Sequence, residues 1–347
     1  MRYPKFLEEN GTIGFVAPSF GCAIEPYRSA FENAQKKFTQ MGYKLDLGPN
    51  CYAGEGIGIS STPKACGEEL TNYYCSEKND ILISCGGGEL MCQTMSCVDF
   101  KAIKETEPKW YLGYSDNTNM TFLLATLCDT ASVYGPCAAA FGMEPWHRAI
   151  SDVFALLKGE KLNFESYDLW EKEGLKDEEH PLLPYNCTEK TQVKIFMPKA
   201  GKMEEAESGA VEGRLLGGCM DCLVNLTGTK FDKVKEFTEK YKEDGIIWFL
   251  EACDLNVFSI RRGMWQMQQA GWFEYVKGFV IGRPLNGEEM MGLDKYEAIL
   301  GIASEYKVPV FMDADLGHLP PAMPFVTGSM AKIEGKGGKM QISYELK

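Results

Sequence analysis

The chain has 347 residues, 45% of them hydrophobic, and its 49 acidic residues outnumber its 36 basic ones, so the net charge is −13. This length and apolar content allow one large core or two moderate ones. The acidic balance excludes nucleic acid and anionic membranes as main partners, because phosphate binding needs clusters of basic residues. No apolar run approaches the ~20 residues that span a bilayer, and the charged N-terminus lacks the apolar core of a signal peptide, so we predict a cytoplasmic protein.

The distribution of cysteines also favours a cytoplasmic protein. The 13 cysteines are scattered through apolar segments, which predicts reduced, buried thiols. Cys219 and Cys222 have C-x-x-C spacing, but no further Cys or His lies near them in the sequence, so packing is favoured over a zinc site. We therefore expect no zinc site at this cysteine pair.

The first half alternates short apolar runs with amphipathic stretches. The predicted elements, in chain order, are a strand at 12–18, a helix at 27–41, a strand at 44–47, a helix at 62–75, strands at 80–84 and 110–113, and a helix at 117–128. Strands that alternate with helices predict a parallel sheet covered on both faces.

Residues 160–187 do not continue the alternation of strands and helices. They are rich in charged residues and prolines, which is typical of a connecting segment. It is either a loop over a site or a plain solvated linker. The second-half predictions, in chain order, are strands at 192–197 and 210–216, helices at 221–226 and 232–241, a strand at 245–250, a helix at 259–270, strands at 276–281 and 308–312, and a C-terminal hairpin ending at 340–346.

Ser115 follows an apolar strand and precedes a predicted helix. A serine at such a junction has an exposed hydroxyl, and the next amide, that of Asp116, points into the same space as half of an oxyanion hole. The alternative is that Ser115 or Asp116 only caps the helix. The tetrapeptide alone does not separate these interpretations.

The glycines at 86–88 also follow a strand, where backbone amides can approach a ligand closely. They form a phosphate loop, the second donor of an oxyanion hole, or a plain turn. No lysine follows in the spacing of a P-loop.

A serine nucleophile needs a base, and the chain has 3 histidines. His318 follows a buried strand, which is a natural position for a base, and Glu251 ends another apolar strand, where a carboxylate needs a partner. The alternatives are a structural histidine and a rim glutamate bonded to an amide or a lysine.

Eight segments in order resemble the LD-carboxypeptidase family of serine peptidases. They are GFVAPS at 14–19, SCGGGELM at 84–91, PKWYLGYSDNTNM at 108–120, YGP at 134–136, EGRLLGG at 212–218, IIWFLEACD at 246–254, FVIGRP at 279–284 and PVFMDADLGHLPP at 309–321. The resemblance implies an α/β fold, with a Rossmann-like N-terminal parallel sheet at 1–165, a connector at 166–191 and a smaller mixed β/α domain at 192–347. It also implies an active site in the cleft between the domains, a homodimer, and no metal or cofactor.

The resemblance implies a role for each candidate. Ser115 is expected to be the nucleophile, His318 the general base and then acid, and Glu251 the group that orients His318. The amides of Gly87 and Asp116 are expected to form the oxyanion hole.

Two activities occur in this family, so the expected partner is a small peptide or an aminoacyl-nucleotide. One group removes the terminal D-alanine of murein tetrapeptides in cell-wall recycling. The other resembles microcin C immunity proteins, which cleave the amide joining an aminoacyl group to a nucleotide phosphate or sulfamate. GGGELMCQTM and the connector around Trp170 resemble the second group.

Three residues are the predicted substrate contacts: Gly88, Trp170 and Cys219. Trp170 either stacks on a nucleobase or packs against the connector's own leucines. Cys219 stands where family members usually have Asn, and a thiol replaces an amide poorly, which leaves the substrate open. A silent binding protein on the same fold is the competing hypothesis. An NAD-binding enzyme is disfavoured because G-x-G-x-x-G spacing is absent.

Overall fold

The computed structural model describes residues 1–346 and contains two compact units. The first unit comprises Met1–Lys161 and Glu173–Asn186. The second comprises Leu162–Lys172 and the chain from Cys187 onwards. The domain limits that the sequence suggests stay a prediction.

The first unit alternates strands and helices. Its elements are β1 (Thr12–Val16), α1 (Tyr27–Gln40), β2 (Lys44–Leu47), α2 (Pro63–Cys75), β3 (Ile81–Ser84), α3 (Met91–Thr94), α4 (Phe100–Glu105), β4 (Trp110–Gly113), α5 (Thr118–Cys128), β5 (Ser132–Tyr134) and α6 (Arg148–Leu157). Short 3₁₀ turns occupy Met95–Cys97, Ser115–Asn117 and Ala138–Gly142.

The five strands of this unit pair in the order β5–β4–β3–β1–β2, and all the pairs are parallel. The order changes direction between β1 and β3, and ligands of open α/β sheets bind outside the carboxyl ends of strands at such a point. Ser19, the glycines at 86–88 and Ser115 follow β1, β3 and β4 along the chain. The expected parallel α/β sheet is confirmed.

Local sequence explains the helices of this unit. In α1 the buried residues are Ala30, Phe31, Ala34 and Phe38, whose spacing places them on one face. α2 starts at Pro63, and the Thr62 side chain accepts a hydrogen bond from the Ala65 amide at 3.2 Å.

The second unit has a mixed sheet. Its elements are β6 (Asn163–Glu165), β7 (Leu169–Trp170), β8 (Glu189–Lys190), β9 (Lys194–Lys199), β10 (Lys202–Ala206), β11 (Ser208–Cys219), α7 (Met220–Leu226), α8 (Val234–Lys240), β12 (Ile246–Glu251), α9 (Val257–Gln269), β13 (Val276–Gly282), α10 (Lys295–Ala303), β14 (Val310–Ala314), β15 (Phe325–Thr327), β16 (Met330–Lys336) and β17 (Lys339–Glu345). A 3₁₀ turn occupies Ser304–Tyr306.

Nine strands of this unit pair in the order β10–β9–β14–β13–β12–β11–β16–β17–β6. The central strands β11 to β14 are parallel, and the outer pairs are antiparallel. β12 is buried along its whole length, which fits its continuous apolar sequence. Its carboxyl end carries Glu251, and the segment after β14 carries His318.

Some elements escaped prediction. β10 has a charged sequence and pairs with β9 across a turn in which Ala200 and Gly201 have φ values of 48° and 84°. Edge strands of this kind bury little, so their hydrophobic pattern is weak. The predicted connector at 166–191 contains the two-residue strands β7 and β8, which are too short for any period to show.

No helix within residues 1–346 is long and apolar enough to cross a membrane.

Candidate active site

Ser115 has a strained backbone. Its φ is 61°, in the left-handed region that few residues other than glycine adopt, and such strain costs about 1–3 kcal/mol. The Ser115 amide donates a hydrogen bond to the buried Tyr134 hydroxyl at 3.0 Å. A serine held in this conformation between β4 and α5 has the strand–turn–helix geometry of a nucleophile elbow.

The carboxylate of Asp116 ties together three segments of the first unit. It is buried and accepts hydrogen bonds from the Ser19 hydroxyl at 2.5 Å, the Met91 amide at 2.9 Å and the Asn119 side chain at 3.0 Å. Asn117, the N-cap residue of α5, makes no side-chain cap hydrogen bond. The Asp116 side chain therefore fixes the turn after Ser115 against two other strand ends.

The glycines after β3 lie close to this turn. A Cβ on Gly87 would be 3.0 Å from the Cβ of Ser115 and 3.2 Å from its Oγ. A Cβ on Gly88 would be 2.5 Å from the Ser19 Oγ. Only a residue without a side chain allows the Gly87 backbone to approach Ser115 this closely.

In the second unit, Nδ1 of His318 donates a hydrogen bond to Oε2 of Glu251 at 2.7 Å, and the glutamate is 1% exposed. Burial opposes the charged imidazole, but the Glu251 carboxylate and a hydrogen bond with Cys253 outweigh it and raise the pKa of His318 well above its usual range. Because the carboxylate can only accept, Nδ1 carries the proton of the neutral imidazole, and Nε2 is the atom that takes up the second proton.

Gly317 makes this contact possible. Its φ is 101°, and a Cβ there would lie 2.5 Å from the Glu251 Oε2. A side chain at position 317 would push His318 away from the carboxylate.

The other two histidines have local roles. Nδ1 of His147 accepts a hydrogen bond from the Ala149 amide at 3.1 Å and caps α6. His180 is exposed beside Asp177 at 3.1 Å. Of the chain's 3 histidines, His318 is the one that contacts a buried carboxylate.

Cys219 is a buried neighbour of the same glutamate. It pairs with Glu251 in the register of β11 and β12, and its thiol donates to the Asp221 carboxylate at 3.3 Å. A hydrogen bond with Cys222, together with burial, raises the pKa of Cys219 well above its usual range. The thiol is thus a poor nucleophile here.

Trp170 lies beside a buried ion pair of the second unit. Its ring centre is 5.1 Å from the guanidinium carbon of Arg283, and Arg283 pairs with Asp315 at 2.6 Å. The Glu171 amide donates to the Pro320 carbonyl at 2.7 Å. These contacts join the Trp170 segment to the residues on both sides of His318.

Among the described residues, 1–346, no group of three or more His, Cys, Asp and Glu side chains is arranged to hold a metal ion.

Two family models match segments of the chain, one in each unit. The N-terminal domain of LD-carboxypeptidases matches residues 13–135, and the C-terminal domain matches residues 212–333. The chain belongs to the LD-carboxypeptidase family. The matched segments contain Ser115, Glu251 and His318.

Curated relatives of this LD-carboxypeptidase family member have low identity over nearly the whole chain. A putative carboxypeptidase of Treponema pallidum is 22% identical, with 94% of this chain and 90% of the relative covered. The microcin C7 self-immunity protein MccF of Escherichia coli is 22% identical, with 98% and 95% covered. A probable murein peptide carboxypeptidase of Bacillus subtilis is 22% identical, with 95% and 91% covered.

Solved structures of the family show the same fold. An MccF-like protein from Bacillus anthracis has a TM-score of 0.81 at 22% identity, with 99% of this chain and 100% of the other covered. MccF in complex with glutamyl sulfamoyl guanosine has a TM-score of 0.78 at 19% identity, with 99% and 98% covered.

Several polar contacts of this LD-carboxypeptidase fold were not predicted. They involve Ser19, Asn117, Tyr134, Cys253 and Arg283, and each lies in or directly beside a family-like segment. Position in those segments was the available signal. Most of these contacts join residues that are far apart in sequence, such as Ser19 with Asp116 and Asn117 with Gly86, so local patterns do not reveal them.

Proposed function

We propose that the protein is a serine hydrolase of small peptide-like amides with a Ser115–Glu251–His318 triad. The observation that carries the proposal is the hydrogen bond between His318 and the buried Glu251 carboxylate. It orients an imidazole and leaves Nε2 as the base. The strained turn at Ser115 supports the assignment of the nucleophile.

In the proposed reaction, Oγ of Ser115 attacks the substrate carbonyl carbon while Nε2 of His318 takes the hydroxyl proton. The amides of Gly87 and Asp116 hold the oxyanion of the tetrahedral intermediate. His318 then gives its proton to the leaving nitrogen, and the C–N bond breaks. Water attacks the acyl-enzyme with His318 again as base, which releases the acid and restores Ser115.

For the substrate, we favour an aminoacyl group joined to a nucleotide phosphate or sulfamate, as in the complex that MccF forms. The half-buried Trp170 supports this choice. Its indole is held in place by a cation–π contact with the Arg283 guanidinium, and such a ring offers a surface on which a base can stack. Gly88 and Cys219 remain candidate contacts. The Cys219 thiol is engaged with Asp221, so we expect this chain to differ in specificity from relatives with an amide there.

The murein tetrapeptide is the second candidate substrate. It is favoured by the full-length similarity to a probable murein peptide carboxypeptidase.

A side-by-side assay tests the proposal. Wild-type protein and Ser115→Ala are incubated with aspartyl sulfamoyl adenosine and with murein tetrapeptide, and the released acid or D-alanine is measured. We expect the wild type to cleave the first substrate and the variant to cleave neither. A Ser115→Ala variant that keeps wild-type rates contradicts the triad. A wild type that binds a substrate, does not cleave it and does not react with a serine-directed phosphonate supports a silent binding protein.

A further inference from the structure

The side chain of Asn117 holds a backbone carbonyl beside the candidate nucleophile. Asn117 is 0% exposed, and its Nδ2 donates to the Gly86 carbonyl at 2.9 Å and to the Tyr114 carbonyl at 3.2 Å. Its Oδ1 accepts from the Tyr111 hydroxyl at 2.5 Å. Since carbonyls only accept hydrogen bonds, the chemistry of these neighbours fixes which end of the amide faces Gly86.

The carbonyl of Gly86 belongs to the same peptide group as the amide of Gly87. This peptide bond is not among the three cis bonds of the chain, so the carbonyl and the N–H point in opposite directions across one plane. A side chain that fixes the direction of the Gly86 oxygen therefore also fixes the direction of the Gly87 N–H. The Ser84 hydroxyl donates to the same oxygen at 3.2 Å.

Direction matters here because of what lies next to Gly87. The backbone of Gly87 approaches the side chain of Ser115 so closely that a Cβ would be 3.2 Å from the serine Oγ. Two adjacent glycines, at 87 and 88, give the segment wide conformational freedom. A donor for a transient oxyanion must be aimed before the reaction, since reorientation during the reaction cancels part of its benefit.

We propose that Asn117 is a positioning residue, which aims the Gly87 amide at the oxyanion formed during attack by Ser115. This inference rests on the proposed hydrolase function. Asn117 touches no reacting atom and acts through the Gly86–Gly87 peptide. An isolated bridge between Gly86 and Phe20 holds the segment from another side, so loss of the amide is expected to loosen the peptide without unfolding the unit.

The test compares kcat and KM of wild type, Asn117→Ala and Asn117→Leu on whichever of the two proposed substrates the wild type cleaves. Phosphonate labelling to completion counts the active sites, so that kcat is expressed per site. We expect kcat to fall about 10- to 100-fold with KM within about 2-fold, because removing a whole oxyanion donor costs about 100- to 1,000-fold. The leucine variant keeps the volume if the alanine variant folds poorly.

Asn79 gives a matched control. It is also a buried asparagine of the first unit, and its Nδ2 donates to Asp46 at 2.8 Å. Asn79→Ala should lower the melting temperature and keep kcat per site. A crystal structure of Asn117→Ala should show the Gly86–Gly87 peptide turned or in two orientations.

The outcomes separate the two proposals. If the wild type hydrolyses its substrate and both Asn117 variants keep kcat per site within about 2-fold, the positioning role is wrong and the hydrolase proposal stands. If the wild type neither hydrolyses nor labels, the hydrolase proposal fails and the role of Asn117 falls with it.

Discussion

Nδ1 of His318 lies 2.7 Å from Oε2 of Glu251, and the glutamate carboxylate is shielded from solvent. The imidazole can take a proton only when it is neutral, so this contact sets the pH range of any reaction that uses it as a base.

Glu251→Gln should lower the rate and shift the pH profile. Glu251 raises the pKa of His318, so its removal lowers that pKa, and the acid limb of kcat/KM moves to lower pH. Loss of the orienting acceptor should cost kcat at least about 100-fold. The measurement is kcat/KM against pH. Glu69→Gln is the control, since Glu69 is a buried glutamate bonded to the Ala17 and Asn50 amides, and an unchanged limb in Glu251→Gln would contradict the role of the pair.

Ser115→Gly should be more stable than Ser115→Ala by roughly 0.5–1 kcal/mol. Glycine relieves left-handed strain of about 1–2 kcal/mol, less its own entropic cost of about 0.5–1 kcal/mol. Urea denaturation measures the difference. Ser151 is an exposed residue inside α6, where the alanine variant should be more stable than the glycine variant. If the alanine variant is the more stable one at both positions, strain is absent at Ser115.

Gly87→Ala should impair catalysis more than stability. The new methyl would lie 3.0 Å from the Ser115 Cβ, so the serine or the glycine loop has to shift. We expect kcat to fall more than about 10-fold, as for a displaced oxyanion donor. Gly278→Ala is equally crowded, with a Cβ 3.1 Å from Val211, and should lose stability while keeping its rate per active site.

Arg283→Met should destabilise the protein by about 3–5 kcal/mol, because it leaves the Asp315 carboxylate buried without its cation. Burial raises the pKa of Asp315 although Arg283 opposes this, so removing the arginine raises the pKa further. The folded variant then binds a proton that the unfolded chain releases, and its deficit should shrink as pH falls. Urea midpoints at several pH values measure this, and a deficit independent of pH would be inconsistent with a buried carboxylate that has lost its cation.

Trp170→Ala should separate the two candidate substrates. Stacking of one base is worth about 1–3 kcal/mol, so KM for aspartyl sulfamoyl adenosine should rise roughly 5- to 150-fold. KM for murein tetrapeptide should stay the same, because that substrate carries no base. Trp170→Phe keeps an aromatic face and should recover part of the loss. Equal increases in KM for both substrates would show that Trp170 acts by holding its loop in place through the contact with Arg283.

The sequence predicted where the strands end, but it did not predict which side chains contact each other at those ends. Buried runs such as residues 246–251 have a composition typical of a central strand, so their carboxyl ends could be located. The contact between Ser19 and Asp116 spans 97 positions, and no local pattern encodes it. Asn117 resembles any polar residue near a helix start until its burial is known.

The bond from Ser19 to Asp116 has a consequence for protein engineering. Ser19 is 0% exposed, so no substrate can touch it, yet its hydroxyl supports the residue that follows the candidate nucleophile. Under the proposed triad, position 19 therefore belongs in any library built for altered substrate range. Randomised libraries that include only solvent-accessible positions would omit this buried support of the turn after Ser115.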